Sequence, residues 1–400
     1  MMRNQRRRIL ELWREVGLAR WLGLTAVLVY CVACATNPKK PGVLKGALAT
    51  TPPQSTPGML VSTGFRGAVQ PLGSIAYDGF TLPVVAPDGR HFAVQSTDGA
   101  TVKSRLAVAN APIPPSRITQ YRIEEHGLSR LVESDAGLLL GRGASFAGCL
   151  CEGPRNGGAR AIGVMPWGRL EVEWIVDDGR VNAFASLGSD GTLAWSSRDV
   201  VGGAWSLTIR IDGASDDAVI APPEGASWVF PVAVSRHCVC ALLLRDGVAS
   251  FAKFDPSNAT TLQDAPTLTR ISDRMDLQLA SQMFAPQQGL DAVTPTGELL
   301  YFDPTRRAIT AWNPQGGKCS AFSGQPMALC FVDRMRVAVL SGTEVRLRSL
   351  SDEQEPGTRL MDTIAVPRRL PSPDGRQGIL FVAPHEQTLR LAILRPSPAP

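Results

Sequence analysis

The chain has 400 residues, 44% of them apolar and 19% charged, with a formal net charge of +5. So much apolar surface with so few charges excludes general disorder. The basic surplus is too small and too scattered for a nucleic-acid face, so no nucleic acid partner is expected.

The first twenty residues carry Arg3, Arg6, Arg7, Arg8, Arg14 and Arg20 against Glu11 and Glu15. An uncharged run from Trp21 to Ala33 follows. It is shorter than the roughly twenty residues of a spanning helix and has the basic-then-apolar order of an export signal. An uncleaved membrane anchor is the alternative. The run ends in Cys31-Val32-Ala33-Cys34, which resembles a bacterial lipoprotein signal. That resemblance implies a signal peptide over 1–33, lipidation of Cys34 and a lipid-anchored protein of the bacterial outer membrane or periplasm. Ala33-Cys34-Ala35 equally suits ordinary signal peptidase, which would release a soluble protein at Thr36. Residues 34–58 hold Pro38, Pro41, Pro52, Pro53 and Pro57 without an apolar period, and read as a semi-extended tether.

From Met59 a phrase begins to recur. Ala86-Pro87-Asp88-Gly89-Arg90 followed by an apolar strand returns as Pro371-Ser372-Pro373-Asp374-Gly375-Arg376, with eroded copies between them. Aligned turn positions fall at 88, 135, 190, 236, 287, 333 and 374, a spacing of 41 to 55 residues. Asp88-Gly89, Asp135, Asp190-Gly191 and Asp374-Gly375 are read as hairpin corners in which Asp-Gly supplies the positive φ of a primed turn. A period of about 40 to 50 residues fits a four-stranded propeller blade. The units are rich in Val, Gly and Pro and lack helical periodicity, which favours strands. The expected fold is therefore all-β, a seven-bladed β-propeller over 59–396, with six or eight blades as alternatives and 397–400 as a tail.

The first unit is read as strands near Thr81–Ala86, His91–Gln95, Arg105–Asn110 and Thr119–Ile123. The last offers only Thr363–Val366, Gly378–Ala383 and Thr388–Leu394. An N-terminal strand at Met59–Phe65 is expected to fill the missing place, closing the ring and covering two sheet edges. The Ala-Pro-Asp-Gly-Arg and Ser-Pro-Asp-Gly-Arg words resemble the TolB-type, WD-like repeat of exported bacterial proteins. That repeat occurs in envelope scaffolding lipoproteins and in the propeller halves of serine peptidases, so it implies a fold more than a function.

Catalytic signatures are sparse. Gly143-Ala144-Ser145-Phe146-Ala147 and Gly225-Ala226-Ser227-Trp228-Val229 lack the closing Gly of a hydrolase elbow. The histidines His91, His126, His237 and His385 show no zincin spacing. Six cysteines beyond the signal, Cys149, Cys151, Cys238, Cys240, Cys319 and Cys330, are disulfide candidates in an oxidising compartment. Reduced buried filler and a soft-metal site built from the two Cys-x-Cys pairs are the alternatives. Asp177-Asp178-Gly179 and Ser189-Asp190-Gly191-Thr192 superficially match calcium loops, but hairpin chemistry already explains them. No cofactor is implied. The expected role is a non-enzymatic binding or scaffolding module for an envelope protein or surface glycan; the alternative is a small-molecule enzyme of lactonase or quinoprotein type using a central channel.

Overall fold

The computed structural model describes residues 65–76, 83–97, 116–134, 137–188, 190–213, 216–235, 238–254, 269–272, 299–303, 308–313, 318–321, 328–332, 336–341, 343–349, 357–361, 365–371, 377–385 and 388–396. Cys34, the tether, Met59–Gly64, Arg105–Asn110, Asp135, Asp374 and Gly375 lie outside them, as does the tail.

The protein is all-β. After β1 (Phe65–Ala76) the strands come in consecutive antiparallel groups. The first is β2 (Val84–Val85), β3 (His91–Thr97), β4 (Ser116–Glu124) and β5 (Gly127–Ser134). Next are β6 (Leu139–Ala144), β7 (Gly148–Pro154), β8 (Arg160–Pro166) and β9 (Glu173–Val176), then β10 (Val181–Leu187), β11 (Leu193–Asp199), β12 (Gly202–Arg210) and β13 (Ala218–Ile220). These two groups merge into one eight-stranded sheet, because β10 pairs in parallel with β6 at Ser186 and Arg142 and with β8 at Val181 and Arg160. The following group is β14 (Ala226–Ser235), β15 (Cys238–Arg245), β16 (Val248–Phe254) and β17 (Thr269–Ser272). It precedes a three-stranded sheet of β18 (Leu299–Asp303), β19 (Ala308–Asn313) and β20 (Lys318–Ala321). A further sheet holds β21 (Ala328–Phe331), β22 (Arg336–Ser341), β23 (Glu344–Ser349) and β24 (Thr358–Met361). Last come β25 (Val366–Pro371), β26 (Gln377–His385) and β27 (Thr388–Pro396), whose sheet is completed by β1.

In the β1–β27 ladder Phe65 stands opposite Pro396 and Ala76 opposite Thr388. The donor is thus Phe65–Ala76, downstream of the expected Met59–Phe65. In the first sheet β3 pairs directly with β4, His91 opposite Arg122. The place expected for Arg105–Asn110 is therefore taken by Ser116–Glu124, and Gly127–Ser134 supplies the fourth strand.

The inner strands are largely buried, and each apolar cluster joins consecutive strand groups. Leu72, Ile75, Leu380 and Leu391 pack with Phe92 and Val94, uniting the β1/β25–β27 sheet with the first group. Ala93 and Ile118 meet Cys149, Cys151 and Met165, while Leu150 and Ile162 meet Leu187 and Trp195. Leu207 and Ile209 meet Trp228 and Val239; Phe251 and Cys240 meet Leu299 and Trp312. Val339 is buried too, and its neighbours Ala338 and Leu340 pack with Ile379 and Phe381.

The Asp-Gly corners differ from expectation in a way that explains their sequence. At the β2–β3 corner, Gly89 N donates to Ala86 O (3.0 Å) and Ala86 N to His91 O (2.8 Å). Gly89 has φ +61, and Asp88 is not among the positive-φ residues. Asp88 is needed instead as an acceptor: its Oδ1 takes the N–H of Arg90 (2.8 Å) and of His91 (3.0 Å). At the β10–β11 corner, Asp190 Oδ1 accepts Thr192 N at 3.1 Å while Gly191 turns with φ +84. These are Asx turns rather than primed turns. Both residues of a primed turn occur at Asp246-Gly247, with φ of +48 and +76 between β15 and β16, a corner the repeat did not single out.

Buried polar side chains join one group to the backbone of the next. Gln95 on β3 donates from Nε2 to Leu138 O (3.0 Å) and accepts Leu140 N (2.9 Å). Gln120 on β4 donates to Met165 O (3.1 Å) and accepts Gly168 N (2.8 Å). Glu152 on β7 accepts Ala185 N (2.9 Å), and Ser186 Oγ on β10 donates to Pro231 O. Replacing Gln95 by Leu removes the partner of Leu140 N; a buried backbone group left unsatisfied costs about 1–3 kcal/mol. Urea unfolding is expected to show that loss for Gln95→Leu and a change below about 0.5 kcal/mol for the more exposed Gln70→Leu.

Candidate binding cleft

Where β9 of the second group approaches β11–β13 of the third, a cleft of about 220 Å³ opens, lined by Asp177, Asp178, Arg180, Trp195, Arg210 and Asp217 among others. The elements that build it are set by local chemistry. The Asp177-Asp178-Gly179 corner repeats the Asx device: Asp178 Oδ1 accepts Arg180 N (3.0 Å), Gly179 has φ +76, and Asn182 Nδ2 donates to the same oxygen at 2.7 Å. Asn182 Oδ1 in turn accepts Trp195 Nε1 (3.1 Å), which fixes the indole as a buried floor.

Charged pairs frame the opening. Arg210 grips Asp217 through Nε (2.6 Å) and Nη2 (2.7 Å), donates from Nη1 to Ile175 O (2.8 Å), and lies 5.4 Å from the Trp195 ring centroid. The bidentate hydrogen bonds that Arg210 donates to Asp217 raise its pKa above the usual value. Arg155 donates to Asp177 (2.8 Å) while stacking 3.6 Å from the Trp174 ring centroid, and Arg180 reaches Asp199 and Ser197 Oγ, each at 3.3 Å. Val219 on the rim is 61% exposed, an apolar contact beside polar walls. Every carboxylate that lines the cleft is engaged by a cation or an amide, and the Ser197 and Thr208 hydroxyls face each other at 3.4 Å. Such a surface offers hydrogen bonds and charge to a polar ligand; no histidine or lysine lines it to activate a nucleophile.

The residues singled out from sequence are dispersed. Ser145 Oγ accepts Ala147 N (3.1 Å) and Ser227 Oγ accepts Trp205 N (3.3 Å), so both are used by the backbone. His91 joins Asp88 Oδ2 through Nδ1 at 2.6 Å and stacks on Trp167 with ring centroids 5.3 Å apart. Of the disulfide candidates, Cys149 and Cys151 are free, buried thiols, contrary to expectation. Their side chains point into the packing between the first two groups, where Cys149 contacts Met165 O (3.8 Å) and Cys151 contacts Gly163 O (3.5 Å). Cys238 and Cys240 have their sulfurs 3.7 Å apart, beyond the bond of about 2.05 Å of a disulfide. Cys330 is buried, and the side chain of Cys319 lies outside the described residues. Among the described residues, no group of three or more His, Cys, Asp or Glu side chains is arranged to hold a metal ion.

Sequence reasoning also missed two features on the first strands β6, β10 and β14. Phe184 and Phe230 adopt φ of +59 and +52 on β10 and β14 and touch at 4.3 Å between ring centroids. Arg142 stands 5.1 Å from the Phe230 centroid, and burial lowers its pKa to about 10 against the opposing pull of Glu152. Nothing in the apolar pattern distinguishes these positions from ordinary strand residues.

No family model matches the chain, and no curated protein matches it. Among solved structures, it is similar to a chain from a study of two prolyl endopeptidases, with a TM-score of 0.47 and 12% identity over 78% of this chain and 46% of that one. It is similar to TolB from Acinetobacter baumannii with a TM-score of 0.32 and 14% identity, covering 46% of this chain and 43% of that one. Prolyl oligopeptidase B from Galerina marginata gives a TM-score of 0.41 and 13% identity over 76% of this chain and 46% of that one. In each case the chain spans less than half the length of the protein it matches.

Two outcomes are expected. Burial pushes the Cys149 thiol up to about 12, whereas an unfolded cysteine titrates near 8.5. The neutral thiol is thus favoured by folding, its contribution is complete below about pH 8.5, and it declines as pH rises toward 12. Denaturant unfolding between pH 8 and 11 should show that decline, with a shallower slope for Cys149→Ala. Arg210→Gln should cost below about 1 kcal/mol in thermal unfolding, because the partly exposed pair with Asp217 is screened by solvent.

Proposed function

We propose that residues 59–396 form a seven-bladed β-propeller, exported and tethered by lipid on Cys34, which acts as a binding or scaffolding module for an envelope protein or surface glycan. The observation that carries the fold reading is the strand pairing between the two ends: β1 supplies the fourth strand of the sheet that β25–β27 begin. Among the described residues the strand groups number seven when the eight-stranded sheet is divided where β10 meets β6. First strands lie beside first strands, β2 against β6 and β25, β10 against β6 and β14, and β21 against β25, as around a central axis.

A binding role draws its support from the cleft, whose groups are already paired and whose rim carries Val219. The anchor and the compartment rest on the resemblance of Cys31-Val32-Ala33-Cys34 to a lipoprotein signal, and the tether would let the module stand off the membrane.

The test is made in cells. Labelled palmitate is expected to enter the protein and to be lost in Cys34→Ser. A photo-crosslinking amino acid at Val219 is expected to give a discrete adduct with one envelope component, and the same residue at Val201, the 98%-exposed tip between β11 and β12, none. Unlabelled protein removes the anchor. Identical adduct patterns from the two positions, or none from Val219 in protein recovered from the envelope, remove the binding role.

A further inference from the structure

Three successive first strands lose their regular ladder part-way along. The register of β6 with β7 breaks between Leu140 and Ala144, that of β10 with β11 between Ala183 and Ser186, and that of β14 with β15 between Val229 and Pro231. Each break holds one large side chain, respectively Arg142, Phe184 and Phe230. A broken ladder re-aims the residue within it, and here the three meet. The Arg142 guanidinium stands 5.1 Å from the Phe230 ring centroid, and the two phenyl centroids are 4.3 Å apart. Phe184 and Phe230, at φ +59 and +52, lie inside strands and are strained for non-glycine residues. Strain of this kind gathers at sites that clamp a ligand.

Exposure and charge define what such a site takes. Phe230 is buried at 2% and forms the back wall, while Arg142 and Phe184 each keep part of their surface open to solvent. Glu152 accepts Ala185 N at 2.9 Å and pairs with Arg160 at 3.4 Å, and Arg142 also feels its pull. Two guanidinium groups thus draw on one carboxylate, and the positive surplus sits where burial makes charge costly. A monoanion balances that surplus; a dianion overshoots it. The phenyl walls call in turn for an apolar body.

We propose that Arg142, Phe184 and Phe230 form a binding site for a small organic monocarboxylate, its carboxylate on the guanidinium and its apolar body against the phenyl rings. A planar carboxylate suits a guanidinium through charge-assisted hydrogen bonds, and these are stronger in a partly desolvated setting than in water. The site is separate from the cleft beside β9 and β11–β13, with which it shares no lining residue.

The experiment titrates the full chain with benzoate, and with benzamide as its uncharged counterpart, by isothermal calorimetry. One saturable benzoate site per chain is expected, with benzamide at least tenfold weaker. Arg142→Gln and Phe184→Ala should each weaken benzoate binding at least tenfold, Arg142→Lys by less than Arg142→Gln, and Arg130→Gln, a change at an exposed surface pair, less than twofold. Circular dichroism of each variant is compared first; where Arg142→Gln does not fold, the benzoate-to-benzamide ratio in the parent protein decides. Three results overturn the proposal: no saturable benzoate binding to the folded parent, equal affinity for benzoate and benzamide, or undiminished benzoate binding in folded Arg142→Gln.

Discussion

A buried first strand has an edge, and its backbone groups need partners. Most first strands pair along one side with the second strand of their group, leaving the backbone groups of the other side in need of partners, while β6 and β10 also pair with each other. Leaving those groups unpaired in a dry interior is costly. The protein meets this need with side chains from the preceding group: Gln95 brackets Leu138 and Leu140 like a fragment of strand, and Glu152 receives Ala185 N. The parallel contacts of β10 with β6 and β8 are another solution to the same need. These polar links work together with the apolar clusters, because both connect consecutive sheets.

That requirement also accounts for the distorted places. On β10, Val181 and Ala183 join the cluster shared with β14–β16, whereas Ala185 and Leu187 join the cluster shared with β7 and β8. Strict alternation would put Ala183 and Ala185 on one face. The irregularity between Ala183 and Ser186, with Phe184 at positive φ, reverses the faces and frees Ala185 N to meet Glu152. A non-glycine residue in that conformation carries strain of about 1–3 kcal/mol, and the bond to a carboxylate is among the interactions that offset it.

Much of the strand architecture was legible. Asp-Gly words, the interval between them and the absence of helical periodicity pointed to antiparallel strands, and positions 88, 190, 236, 333 and 374 all fall between the first and second strands of a group. Position 135 falls instead between β5 and β6, and position 287 between β17 and β18; both lie outside the described residues. The disulfide expectation failed at Cys149 and Cys151 for a reason sequence could not reveal: sulfurs on one face of a regular strand serve the sheet opposite. The cleft was illegible because its lining comes from separate elements, Asp177 after β9 and Arg210 and Asp217 around the β12–β13 connection, which only the packing of the sheet brings together.

The ladder between β1 and β27 has a mechanical consequence. Phe65 and Arg66 stand opposite Pro396 and Arg395, but the register breaks before Gln70 and again after Pro71. Tension drawn between the two termini would therefore load the ladder from its Phe65 end, where the first rungs are isolated from the rest, and peel it rather than shear it. The seam would give way one rung at a time, and the interior sheets would feel the pull only after Ile75 and Ala76 had parted from Leu389 and Thr388.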